Sequence, residues 1–202
     1  MDTREIVLAA LRETEVFDFI AQFCFDCIPH VFAGDRKAFL DWKHLLSKLL
    51  EVDPACLVFV GSSAIGVSLN PSKGFRLFDS SSDIDVAVVS HYHFTVSWRF
   101  LRSNGHRRMH VDARTRTAWD EHVSRFIYWG TVATDRLLGI LPFGKQWLDA
   151  LGTMSRQAPT VGRDINLRIY SDHESLRAYQ VQSAVRARQE LLSGGQTNAT
   201  IP

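Results

Sequence analysis

Two short apolar runs constrain this chain more than any other feature. Val58-Phe59-Val60 ends in Gly61-Ser62-Ser63, and Ser82-Asp83-Ile84-Asp85 opens onto Val86-Ala87-Val88-Val89. Runs this short and this rich in Val and Ile favour strands over helices. A strand sends side chains i and i+2 out of the same face. Asp83 and Asp85 are therefore expected to project together, roughly 6.6 Å apart along the strand. Two carboxylates that close repel unless a proton or cation lies between them. All-oxygen donors select a hard cation such as Mg²⁺ or Mn²⁺, completed by phosphate oxygens. A pair of such ions suits phosphoryl or nucleotidyl transfer. Gly61 lets the backbone approach a phosphate closely. Free N–H groups where a helical turn begins attract anions, and the Ser62 and Ser63 hydroxyls add donors. Neither Gly-x-Gly-x-x-Gly nor Gly-Lys-Ser/Thr is present, which argues against a dinucleotide fingerprint and a P-loop.

A strand ending in Gly61-Ser62, followed by a strand carrying Asp83-Ile84-Asp85, resembles the DNA polymerase β-like nucleotidyltransferase superfamily. That group includes small bacterial toxin and antitoxin nucleotidyltransferases, antibiotic-modifying nucleotidyltransferases and cyclic-oligonucleotide synthases. The resemblance implies an α/β (α+β) fold, with a small mixed sheet of a few strands flanked by helices. It implies NTP phosphates on Gly61, Ser62 and Ser63, and Mg²⁺ or Mn²⁺ on Asp83 and Asp85. It also implies a third metal-ligating, catalytic carboxylate on the strand after the helix that follows Asp-x-Asp. Val111-Asp112-Ala113 matches that in kind, and Asp164 is the reserve candidate. The implied reaction moves an NMP to a hydroxyl of a protein, RNA, small molecule or nucleotide and releases pyrophosphate. The alternative is a non-catalytic binding or regulatory module on the same fold, such as an antitoxin. A toxin–antitoxin or phage-defence setting follows from the small bacterial members. The connector from Ser62 to Asp83 spans 21 positions, longer than in the smallest members, and Pro71, Lys73 and Gly74 mark an excursion within it.

At 202 residues the chain is expected to form one domain, or one domain with a helical appendage, and 46% hydrophobic residues suffice for a core. The expected division is a catalytic core with N-terminal helices over 1–116, a mainly helical part with one strand over 117–195, and a disordered tail over 196–202. No apolar run is long enough for a membrane span. The start, Met1-Asp2-Thr3-Arg4-Glu5, lacks the form of a signal peptide. Three cysteines, including Cys24 and Cys27 beside aromatics, fit a reducing, cytoplasmic setting and a buried core role. The net charge of +1 implies no general field for nucleic acid. Six arginines nevertheless crowd Arg99 to Arg116, either a solvated face or a patch facing nucleotide or RNA.

Helical periodicity predicts a helix from Thr3 to about Cys27, and a second, capped by Asp35, to about Leu50. Asp53-Pro54 breaks it before the first strand. A helix follows Ser90 to about Arg102, with His91 and His93 as capping or loop residues rather than ligands. Alternation over Arg108 to Arg114 predicts a half-buried strand carrying Asp112. Thr117 and Asp120 resemble a capping pair, opening a long helix to about Leu138. Lys145, at a helix start after Gly144, is placed to reach a triphosphate. Asp164 to Tyr170 alternates as a strand. Ser171 and Glu174 match a capping box for a helix to about Leu192, ended by Gly194-Gly195.

Overall fold

In the structure, a computed structural model that describes residues 2–135 and 137–193, four strands form one mixed sheet. In chain order the elements are α1 (Thr3–Glu13), α2 (Val16–Ile20), α3 (Arg36–Leu50), β1 (Leu57–Val60), α4 (Gly61–Ile65) and β2 (Ile84–Val89). They continue with α5 (His91–Ser103), α6 (Ala113–Glu121), β3 (Thr131–Ala133), α7 (Gly144–Met154), β4 (Ile165–Tyr170) and α8 (His173–Ser193). The sheet order is β1-β2-β4-β3. β2 runs antiparallel to β1 and parallel to β4, and β3 lies antiparallel on β4. Two strands come from each side of residue 116, so the sheet is shared between the parts expected to be core and appendage. The tail 196–202 and Gly194-Gly195 lie outside the described residues.

Period-2 geometry sorts the strand side chains onto two faces. Leu57, Phe59, Ile84, Val86, Val88, Leu167 and Ile169 join the main core, with Trp42 and Leu46 of α3, Leu101 of α5 and Trp147 of α7. Phe59 stands at ring-centroid distances of 5.3 Å from Phe32 and 5.0 Å from Trp42. The opposite face is smaller and partly polar: Val60, Ala87, Val89 and Tyr170 pack with Leu176 of α8, while Asp85, Asn166 and Arg168 continue the same rows.

The expected N-terminal helix is interrupted at Thr14, whose backbone is extended. Arg188 of α8 donates to the carbonyls of Leu11 and Thr14, closing the end of α1 from a distant part of the chain. Asp35 caps α3 through Ala38 N–H at 2.9 Å, as expected. Cys24 is buried, with its thiol pushed up to about 12 by burial and then by Cys27, and all three cysteines are free. A thiol held protonated is a poor nucleophile and a poor metal ligand, which agrees with the core role.

Three expectations over 105–175 are corrected. The strand expected at 108–114 is a 3-10 turn, Gly105–His110, followed by α6. The helix expected over 117–138 stops, and β3 occupies its middle. The cap of α8 is Asp172, which accepts from Ser175 N–H at 2.7 Å, not Ser171. His122 explains the second change. It is 2% exposed and sits in a π-type turn after α6. Its Nδ1–H donates to Ala118 O, and its Nε2 accepts from Ala133 N–H at 2.9 Å. The neutral ring thus ties the helix end to β3. Burial holds its pKa below the usual value of 6.5. An unfolded chain then takes up the proton first, so stability is complete above about pH 6.5 and falls as pH drops below it. Melting curves at pH 7.5 and 5.5 should show that fall, and His122→Ala should remove about 1–3 kcal/mol at neutral pH, because Ala133 N–H loses its buried partner.

Candidate functional site

The site is built where β1 ends and β2 begins. β1 pairs antiparallel with β2, so Val60 stands opposite Asp85. The chain leaves β1 through Gly61 at φ +64°, a conformation that L side chains rarely adopt. A Cβ built on Gly61 would lie 2.8 Å from Asp85 Oδ2. The turn and the acid are therefore in direct apposition. Ser63 joins them: its Oγ donates to Val60 O at 3.0 Å and accepts from Asp85 N–H at 3.4 Å. Ser63 is fully buried, so its hydroxyl belongs to this internal bracing and is not offered to a phosphate. Ser62 is half-buried beside it.

A second bracing sets the start of β2. Asp79 Oδ1 accepts from Ser81 N–H at 2.8 Å and Ser81 Oγ at 2.7 Å, forming a tight turn. Arg163 donates to Asp79 O and Ser82 O and lies 4.7 Å over the Phe78 ring. The excursion before it is a hairpin-like loop with a Val67–Leu77 bridge and a 3-10 turn at Pro71–Lys73.

Asp85 is half-buried and lines a cavity of about 320 Å³ with Gly61, Asp135, Asn166, Arg168 and Tyr179. Burial raises its pKa above the usual 3.8, and the charge of Asp83 adds to this; Asn166, Lys73 and Arg168 act in the opposite sense. Asp83 is exposed and lines a neighbouring hollow with Asp164 and Arg163, and Asn166 borders both hollows. Asn166 is the register partner of Asp85, and its Nδ2 stands 3.5 Å from Asp85 Oδ1. Arg168, two residues on, donates to Tyr179 Oη at 2.8 Å and lies over the Tyr179 ring.

Two expected site residues are elsewhere. Asp112 is the exposed N-cap of α6, accepting from Thr115 N–H at 3.0 Å and Thr115 Oγ1 at 2.6 Å, which holds its pKa down. The Asp-Ala-Arg-Thr capping signal outweighs the alternation that suggested a strand. Lys145 is exposed on α7 and pairs with Asp149 at 2.7 Å, beside a hollow lined by Leu49, Pro142 and Phe143. The position facing Asp85 across the sheet is Asn166, within Ile165-Asn166-Leu167, an apolar-Asn-apolar triplet. Arg168 and Tyr179 were not anticipated. The alternation of Asn166, Arg168 and Tyr170 marks their face, but nothing local shows that this strand lies beside β2.

Asp83, Asp85 and Asn166 offer hard oxygen donors of the kind Mg²⁺ accepts. Among the described residues, no group of three His, Cys, Asp or Glu side chains could hold a metal ion by itself. Asp83 borders one hollow and Asp85 the other, with Asn166 between them, so a cation held by both acids would take the rest of its shell from ligand oxygens and water. No protein-family model, curated protein or solved structure matches the chain.

Proposed function

We propose that this chain is a nucleotidyltransferase that takes an NTP at the corner of Gly61, Asp83 and Asp85 and transfers its NMP to a hydroxyl. The observation that carries the reading is the apposition of the Gly61 turn to the Asp85 carboxylate at the wall of one cavity. Asp83 and Asp85 would hold Mg²⁺, which when bound neutralises triphosphate charge. Gly61, without a side chain, leaves room for phosphate beside the acid. The acceptor oxygen attacks the α-phosphorus, the bond to the pyrophosphate oxygen breaks, and pyrophosphate leaves. With Asp85 committed to the cation, Asp135 is the cavity carboxylate that would receive the hydroxyl proton. A cytoplasmic setting goes with this reading, and among the described residues no single helix is long and apolar enough to cross a membrane.

Asn166 favours a second reading, a nucleotide-binding module without turnover, because an amide stands where a third acid would face Asp85. Incubation with α-labelled NTPs, Mg²⁺ or Mn²⁺ and a panel of acceptors separates the two. Label transfer supports the enzyme. Saturable NTP binding with no transfer to any acceptor class supports the module, and neither binding nor transfer defeats both.

Asn166→Asp gives a further check. It places two carboxylates opposite each other on adjacent strands, which should cost about 1 kcal/mol without divalent cations. Added Mn²⁺ should restore the melting temperature and bind more tightly than to the parent chain. A variant indifferent to Mn²⁺ would place the cation elsewhere.

A further inference from the structure

Beside the Asp85 cavity lies a second hollow of about 290 Å³, lined chiefly by Arg125, Phe126, Trp129, Tyr179 and Arg186. Tyr179 and Ser183 line both, so the two adjoin along α8. Arg168 stands at the partition, 5.5 Å over the Phe126 ring and 4.9 Å over the Tyr179 ring. Among the described residues that line the second hollow there is no acid. Arg125, whose guanidinium lies 5.7 Å over the Phe126 ring, and Arg186 are exposed, and Trp129 is 40% exposed, so the hollow presents two arginines and an indole to solvent. Arginine forks match phosphate, and aromatic faces stack on bases of any sequence.

We propose that this hollow binds a nucleotide unit of the acceptor, its base against the exposed Trp129 indole and its phosphate on Arg125 and Arg186. The proposal rests on the nucleotidyl-transfer reading for its role, because it assigns the acceptor of that reaction to the adjoining hollow. A triphosphate needs the acids and their cation in the first cavity. A single phosphate is matched by two arginines without one. The same chemistry is offered by a free nucleotide and by the terminal residue of a single-stranded RNA.

The test titrates a fluorescent short oligoadenylate into the full chain without divalent cations, at about 50 and about 200 mM salt. Arg125→Gln/Arg186→Gln should weaken binding about tenfold or more at the lower salt and reduce the logarithmic salt slope by about 0.7, the value for one phosphate on a single strand. Trp129→Ala should weaken binding about fivefold or more and leave the slope unchanged. Displacement of the probe by AMP assigns the hollow to free nucleotides, and retention of the probe against AMP assigns it to strand ends. Failure of the parent chain to bind either probe, or equal affinity and slope in the double variant, overturns the proposal. Mg²⁺-dependent ATP binding to Asp85→Asn is measured in parallel. If that binding is intact while the arginine variants lose the oligonucleotide, the transfer reading fails and nucleotide binding by the hollow stands.

Discussion

Gly61→Ala is expected to lower stability by about 2 kcal/mol and the melting temperature by roughly 4–8 °C, and to abolish the proposed nucleotidyl transfer. Two costs combine. An alanine at φ +64° enters the left-handed region, at about 1–2 kcal/mol. Its Cβ would also meet Asp85 Oδ2 at 2.8 Å, a separation that real Cβ atoms essentially never show. The carboxylate must turn away, because its backbone is held by the β1–β2 ladder and by Ser63 Oγ. Gly34→Ala is the matched control. Its φ is +86° with nothing within 4 Å of the added carbon, so it carries the backbone cost alone. A double-mutant cycle separates the terms: in an Asp85→Ala background, Gly61→Ala should cost no more than the control. An equal penalty in both backgrounds would show that the glycine serves only the turn.

Asp85→Asn should lower the proposed nucleotidyl transfer by about 10²–10³-fold while the melting temperature at neutral pH stays level or rises. The native environment raises the Asp85 pKa, chiefly by burial. Native protein then binds the proton more tightly than the unfolded chain. The resulting penalty is absent below the unfolded value near 3.8, grows as pH rises through the folded value, and is complete at neutral pH. An amide of the same shape lifts it. Melting the two proteins side by side at pH 4 and 7 should show their difference widening toward neutrality. Mg²⁺ or Mn²⁺ with NTP should stabilise the parent and leave the variant unmoved. Asp120 behaves in the opposite way: it pairs with Arg108, which holds its pKa down, as expected of an acid serving structure. Loss of stability at neutral pH in Asp85→Asn, with transfer retained, would move Asp85 into that second class.

Local patterns determined much of this protein without any fold in view. The apolar runs around Gly61 and Asp85, the Asp35 cap, and the alternation over 165–170 each report a preference that neighbours in the chain can satisfy. Those preferences were met, and the mixed α/β sheet followed from them. Tertiary structure decided the rest. Whether 108–114 became strand or helix cap depended on the partner available to Asp112, and Thr115, three residues away, supplies it. The helix expected through 131–133 yielded because β4 and His122 offered partners that no local reading contains. The neighbour of Asp85 across the sheet is Asn166, 81 positions later, and only strand pairing could select it over Asp112. Side-chain period and capping are short-range interactions and are written in the chain; strand order is a long-range choice, settled by burying two sheet faces at once.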